Sequence, residues 1–138
     1  MEINYIFPCQ IRIRYSDTDK MGYCYYGNYA SFLEVGRVEA LRSLGMSYKS
    51  IEESGMMMPV LELKINYLAP ALYDDLLTIN TMVTKIEGTR IYFNYEIFNE
   101  LGKKLIDAHT ILVFVNANTR KPIAPSKEFI NTLRHAIQ

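Results

Sequence analysis

Residues 15–37, YSDTDKMGYCYYGNYASFLEVGR, contain the change of backbone regime that decides the fold. Just upstream, Ile11-Arg12-Ile13-Arg14-Tyr15 alternates apolar and polar side chains, which predicts a strand over 11–15 with one face buried. Ser16-Asp17-Thr18-Asp19 ends it, because short polar side chains bond their own backbone, and Gly22 and Gly27 extend the loop to residue 27. Asn28 is the predicted N-cap of a helix over 29–44, in which Tyr29, Phe32, Leu33, Gly36, Ala40, Leu41 and Leu44 recur at helical spacing before the stop at Gly45. Polar Ser31, Glu34, Arg37, Glu39 and Arg42 are scattered among apolar positions, so the helix is expected to be covered on more than one side.

Downstream, Ser47 caps a short helix reaching about residue 53, and Gly55 breaks it. The chain then turns to strands. Residues 61–67 alternate as a half-buried strand ended by Ala69-Pro70, and Tyr73-Asp74-Asp75 form a turn. Residues 76–86 and 91–98 are rich in Ile, Thr, Val, Tyr and Phe, and their short link predicts an antiparallel hairpin. A second hairpin through Gly102 leads into residues 104–115, whose run Ile111-Leu112-Val113-Phe114-Val115 is apolar throughout and predicts a sheet centre covered on both faces. Ser126 caps a last amphipathic helix carrying Phe129, Ile130, Leu133 and Ile137. The order predicts an α+β fold, an antiparallel sheet wrapped around one long central helix with a C-terminal helix, as a single domain over 1–138.

Composition narrows the function classes. The chain has 138 residues, and 15 Lys+Arg cancel 15 Asp+Glu, so it lacks the field of a general nucleic-acid binder. No apolar run approaches the roughly 20 residues of a membrane span. The start, MEINYIFPCQ, has no secretory pattern, which predicts a cytoplasmic protein with Cys9 and Cys24 as free thiols. A phosphate-binding loop, a dinucleotide fingerprint and metal-ligand His/Cys spacing are all missing from the sequence.

The pattern Tyr15-x-Asp17-Thr18-Asp19-x-x-Gly22-x-x-Tyr25-x-x-x-Tyr29-x-x-Phe32-x-Glu34-x-x-Arg37, followed by Tyr67-x-x-Pro70-Ala71-x-x-Asp74-Asp75, resembles the hotdog-fold acyl-CoA thioesterases of the hydroxybenzoyl-CoA thioesterase type. The resemblance spans about residues 10–125 and implies a hotdog fold, a homo-oligomer (a dimer or dimer of dimers) with active sites at the subunit interface, and no metal or prosthetic group. Coenzyme A enters only as part of the substrate, and acyl carrier protein is the alternative carrier.

A thioester carbonyl is already electrophilic and its thiolate leaves readily, so one carboxylate and a set of oxyanion donors suffice for hydrolysis. By the resemblance Asp19 is that carboxylate, as nucleophile or as general base, and the Tyr26 backbone amide polarises the carbonyl. The residue before the helix departs from one branch of the family, which carries His there. Glu34 is a second carboxylate candidate, because another hotdog branch uses a helical one, although its spacing from Arg37 suggests an ion pair. Substrate-binding candidates are Tyr25 and Tyr29 beside the motif, Met57, Met58 and Pro59 for the acyl pocket, and Lys85 and Arg90, with Lys103 and Lys104, for coenzyme A phosphates. Each has a plainer reading: core filling for the methionines, edge protection for the cations, loop shaping for Asp17. A Cys24–His109 nucleophile pair has no support from spacing, and His135 is expected to be exposed on the last helix. Two rival functions remain, a non-catalytic acyl-CoA or acyl-carrier-protein binding hotdog protein and a hotdog dehydratase, the latter lacking a His in the motif.

Overall fold

The computed structural model describes residues 1–137. Five strands form one antiparallel sheet: β1 (Glu2–Arg12), β3 (Val60–Tyr67), β4 (Leu76–Glu87), β5 (Arg90–Phe98) and β6 (Lys104–Val113), in the order β1-β4-β5-β6-β3. A two-stranded ribbon pairs β2 (Met56–Met57) with β7 (Val115–Asn116). The long helix α1 (Tyr29–Ser43) lies against β1 and β4, followed by α2 (Tyr48–Glu53), and α3 (Lys127–Ile137) closes the chain. This is the hotdog arrangement of a sheet laid over one long helix.

Alternation sets which sheet face meets the helix. In β4 the residues Leu77, Ile79, Thr81 and Val83 point inward, and in β5 Ile91, Phe93, Tyr95 and Ile97 do so, all fully buried. Each such large apolar side chain contributes about 1.5–3 kcal/mol through burial.

Several expectations are corrected. The first strand runs over Glu2–Arg12 rather than 11–15, and Tyr15 instead opens a 3-10 turn, Tyr15–Asp17. Its inward row Ile3, Tyr5, Phe7, Cys9, Ile11 does alternate, but Ile6 and Pro8 on the outward row mask the pattern, and Pro8 is tolerated because β1 is a sheet edge. The sheet centre is β5. Residues 111–115 instead end β6 and turn into β7, with Ile111 and Val113 only half-buried. Strand β3 is the other edge and is exposed along nearly its whole length, Leu61 at 52%, rather than half-buried. Within one chain α1 likewise keeps an exposed stripe of Ser31, Glu34, Val35 and Arg42.

Two residues of α1 fix its seat. A Cβ at Gly36 would collide with Thr81 Oγ1 and come within 3.2 Å of Ile79 Cγ2, so only glycine lets the helix approach β4 this closely. Arg37 is 6% exposed and makes no ion pair with Glu34 among the described residues. Its guanidinium donates to Tyr95 Oη at 3.3 Å and Tyr48 Oη at 3.4 Å, and Tyr95 shares a 2.6 Å hydrogen bond with Thr110. Arg37 thus ties α1 to β5 and α2 through phenols. Gly45, at φ 85, ends the helix with its N–H on the Arg42 carbonyl while Met46 N–H bonds the Leu41 carbonyl. Among the described residues no helix is long and apolar enough to cross a membrane.

Gly36→Ala is expected to lower stability by about 1–2 kcal/mol, the overpacking cost exceeding the gain in helix propensity. Urea unfolding measures it, and a stabilised variant would contradict the close helix–sheet contact.

Candidate active site

The site begins with a buried, hydrogen-bonded carboxylate. Asp17, 5% exposed, accepts Arg14 N–H at 2.8 Å and the Arg14 guanidinium at 3.2 Å. Its own carbonyl accepts Tyr25 N–H and Asn28 Nδ2, each at 2.8 Å. Asn28 occupies the N-cap of α1, as the sequence predicts, but its side chain makes no capping bond and is spent on the preceding loop. One residue thereby joins the end of the first strand to the head of the helix.

Between these anchors the chain makes a tight reversal, with Thr18 bridged to Cys24 and Asp19 N–H on the Tyr23 carbonyl at 2.8 Å. Gly22 takes φ 79 there, a conformation that glycine adopts without penalty. Asp19 Oδ1 accepts Met21 N–H at 2.9 Å and Tyr23 N–H at 3.3 Å. Its Oδ2 has no protein partner among the described residues, so one carboxylate oxygen is pinned and the other is available.

Residues Tyr26–Asn28 form a 3-10 turn that feeds α1. No acceptor for the Tyr26 or Gly27 N–H is present among the described residues, as is usual for the first donors of a helix, and the positive end of the α1 dipole lies there. Asp19, Tyr23, Cys24, Tyr26, Tyr29 and Tyr67, with the 68–70 segment, line an open cleft of about 340 Å³. The segment is held against the loop by Cys24 N–H on the Ala71 carbonyl at 2.8 Å and a Tyr23–Leu72 bridge. A carboxylate and a helix-head residue with an unpaired amide, Asp19 and Tyr26, on one cleft can add a nucleophile to a carbonyl and hold the resulting oxyanion.

Of the residues predicted from sequence, Asp19, Tyr26 and Tyr29 meet in this cleft. Tyr25 packs beside it, its ring 4.7 Å from that of Tyr26 and over Gly27. Glu34 is exposed on α1 and does not line the cleft. Met57, Met58 and Pro59 lie at the β2 ribbon, and Lys85 and Arg90 at the β4–β5 hairpin, outside the cleft of this chain. Lys85 bonds Glu87 at 3.2 Å, and Lys104 pairs with Glu96 and Asp107. His109 faces away from α1 and meets Glu62 at 2.8 Å, apart from Cys24, while His135 is exposed. Sequence reasoning missed Tyr67 as part of the cleft wall, because only the fold brings the end of β3 to the head of α1.

The profile of the thioesterase superfamily matches residues 21–106. The chain belongs to this superfamily. The thioesterase is 32% identical over 125 residues to the acyl-CoA thioester hydrolase YbgC of Escherichia coli, covering 91% of this chain and 93% of that protein. It is 26% identical to the chloroplastic acyl-acyl carrier protein thioesterase ATL3 of Arabidopsis thaliana, over 91% of this chain and 68% of that one. Among solved structures, the DHNA-CoA thioesterase of Staphylococcus aureus superposes with a TM-score of 0.87 at 36% identity, covering 95% of this chain and 87% of that one.

Burial works against the charge of Asp17, but the hydrogen bonds from Arg14 outweigh it and hold the carboxyl below its ordinary range. A carboxyl with a depressed folded pKa stabilises the fold above its unfolded value, near 3.9, and that contribution is lost as pH falls through the folded value. Asp17→Asn is therefore expected to cost about 1–3 kcal/mol at neutral pH, with the gap to wild type closing below about pH 3.9. Denaturant melts at neutral and acid pH measure this, and a gap independent of pH would contradict it.

Proposed function

We propose that this thioesterase hydrolyses acyl-CoA thioesters, with Asp19 as the catalytic carboxylate and the Tyr26 and Gly27 amides as oxyanion donors. The observation that carries the reading is the asymmetry of Asp19 beside the helix head: Oδ1 is fixed by two backbone amides while Oδ2 has no partner among the described residues, and Asp19 and Tyr26 line the same cleft, with Gly27 next in the turn. Two routes use these atoms. As general base, Asp19 takes a proton from water, the hydroxide adds to the thioester carbon, the amides hold the oxyanion, and collapse expels the thiolate. As nucleophile, Asp19 itself adds and expels the thiolate, and water then hydrolyses the mixed anhydride. In both, the products are a free acid and coenzyme A.

Acyl-CoA is favoured as carrier by the names of YbgC and of the S. aureus relative, with acyl carrier protein the alternative suggested by ATL3. The dehydratase reading is not favoured, since neither His109 nor His135 approaches the cleft. The exposed apolar edge strand β3, with Val60, Leu61 and Leu63 open to solvent, supports a homo-oligomer in which a second copy covers this edge. Met57, Met58, Pro59, Lys85 and Arg90 lie outside the cleft of their own chain, so their proposed roles as acyl-pocket and phosphate contacts depend on such an assembly.

Asp19→Asn is expected to lower the rate of thiol release about 10²–10⁴-fold with the melting temperature unchanged. The assay is a panel of acetyl-, hexanoyl-, palmitoyl- and benzoyl-CoA, and wild type inactive on every thioester would refute hydrolysis. Leu61→Asp on the open edge is expected to yield a smaller species by sedimentation and to lose activity; a wild type already monomeric would count against the assembly.

A further inference from the structure

The two peptide groups that join Tyr25 to Tyr26 and Tyr26 to Gly27 carry the unpaired N–H groups. A peptide group is planar, so whatever fastens its carbonyl end also sets the direction of its N–H. The Tyr25 carbonyl accepts Asn28 N–H at 3.0 Å and, in addition, the Cys24 thiol at 3.6 Å. The Tyr26 carbonyl accepts Tyr29 N–H and, in addition, the Tyr67 hydroxyl at 3.5 Å. Each of the two amides is thus backed by one backbone donor and one side chain from the cleft wall.

We propose that Cys24 and Tyr67 are positioning residues for thioester hydrolysis, each fastening the carbonyl end of one of the two peptide groups whose N–H ends receive the oxyanion. This rests on the reading of Asp19 and the helix head as the hydrolytic site. A donor on a carbonyl also draws charge toward that oxygen and strengthens the N–H of the same group as a donor, so the two contacts sharpen the amides electronically as well as geometrically.

Both side chains sit on fixed backbone. Immediately after Tyr67, the N–H groups of Leu68 and Ala69 both donate to the Leu105 carbonyl, at 2.9 and 3.2 Å. The Tyr67 ring packs edge-on against Tyr29, with centroids 5.6 Å apart, and against Tyr26 at 6.4 Å. Cys24 is held by its own N–H on Ala71 and by its bridge to Thr18. Burial is the chief cause that pushes its thiol up to about 11, so it keeps its proton, serving as a donor and not competing with Asp19 for the acyl group. This gives the cysteine of the motif region a role other than nucleophile, and links the sheet edge at β3 to the reactive turn.

The contacts are long and a thiol is a weak donor, so each is expected to change the rate modestly. The test compares wild type, Asp19→Asn, Tyr67→Phe, Cys24→Ala, Cys24→Ser and the Tyr67→Phe/Cys24→Ala double variant. Thiol release from hexanoyl-CoA and benzoyl-CoA gives kcat and KM, and calorimetry gives the Kd of coenzyme A, which has no acyl carbonyl. Tyr67→Phe and Cys24→Ala are each expected to lower kcat about three- to tenfold, with KM and the coenzyme A Kd within about twofold. Cys24→Ser, which restores a hydroxyl donor, is expected to recover most of the loss of Cys24→Ala. If a Cys24 variant does not fold, Tyr67→Phe, which removes one hydroxyl from a half-exposed ring, carries the test alone. An unchanged kcat in either variant overturns the role of that residue, and a loss confined to KM or to coenzyme A affinity overturns the positioning role. Wild-type activity in Asp19→Asn would instead refute the underlying site, which is a separate outcome.

Discussion

The site depends on the position of Asp17. Its carboxylate is fastened to Arg14 and its carbonyl to Tyr25 N–H and Asn28 Nδ2, so the end of the first strand and the head of α1 are held through one buried residue. Asp19 lies two residues further on, at the base of the reversal, and inherits its location from this junction. Hydrogen bonds to a buried carboxylate are among the stronger ones available to a protein, and a buried carboxylate left unpaired is costly, which makes the junction hard to loosen.

The helix end of the junction is set by different physics. Gly36 lets α1 settle onto β4, and Arg37 reaches past it to Tyr95 and Tyr48. A buried guanidinium without a carboxylate is unusual; phenol oxygens meet part of its hydrogen-bonding need and orient the helix about its axis. With the helix fixed in depth by the glycine and in rotation by the arginine, the turn at its head is held beside the cleft that Asp19 and Tyr26 line. Asp17, Gly36 and Arg37 therefore build the frame, and under the proposed reading Asp19 with the Tyr26–Gly27 turn occupies it.

Much of this was legible from the sequence, and the gaps have physical causes. The long helix, its glycine stop, the two hairpins and the capped last helix follow from periodicity and turn chemistry, which act locally. Strand β1 was partly hidden because an edge strand tolerates Pro8 and Ile6 on its outward row. The run 111–115 suggested a central strand because it is uniformly apolar, yet Phe114 lies between strands and Val115 already starts β7 of the two-stranded ribbon. Glu34 and Arg37 have the spacing of a helical ion pair, but the arginine gains more from buried phenols than from an exposed carboxylate. Asp19 and Tyr26, singled out through the motif resemblance, do line one cleft. Tyr67 was not readable as a partner of the helix head, since only tertiary folding joins residues so far apart in sequence.

Hydrolysis at this cleft turns on where the thioester carbonyl sits. A crystal structure of Asp19→Asn with a bound acyl-CoA tests this most directly. It is predicted to place the carbonyl oxygen about 2.7–3.2 Å from the Tyr26 or Gly27 nitrogen, with the side chain at position 19 facing the carbonyl carbon. A carbonyl seated away from the head of α1, or turned so that position 19 cannot reach its carbon, would contradict it.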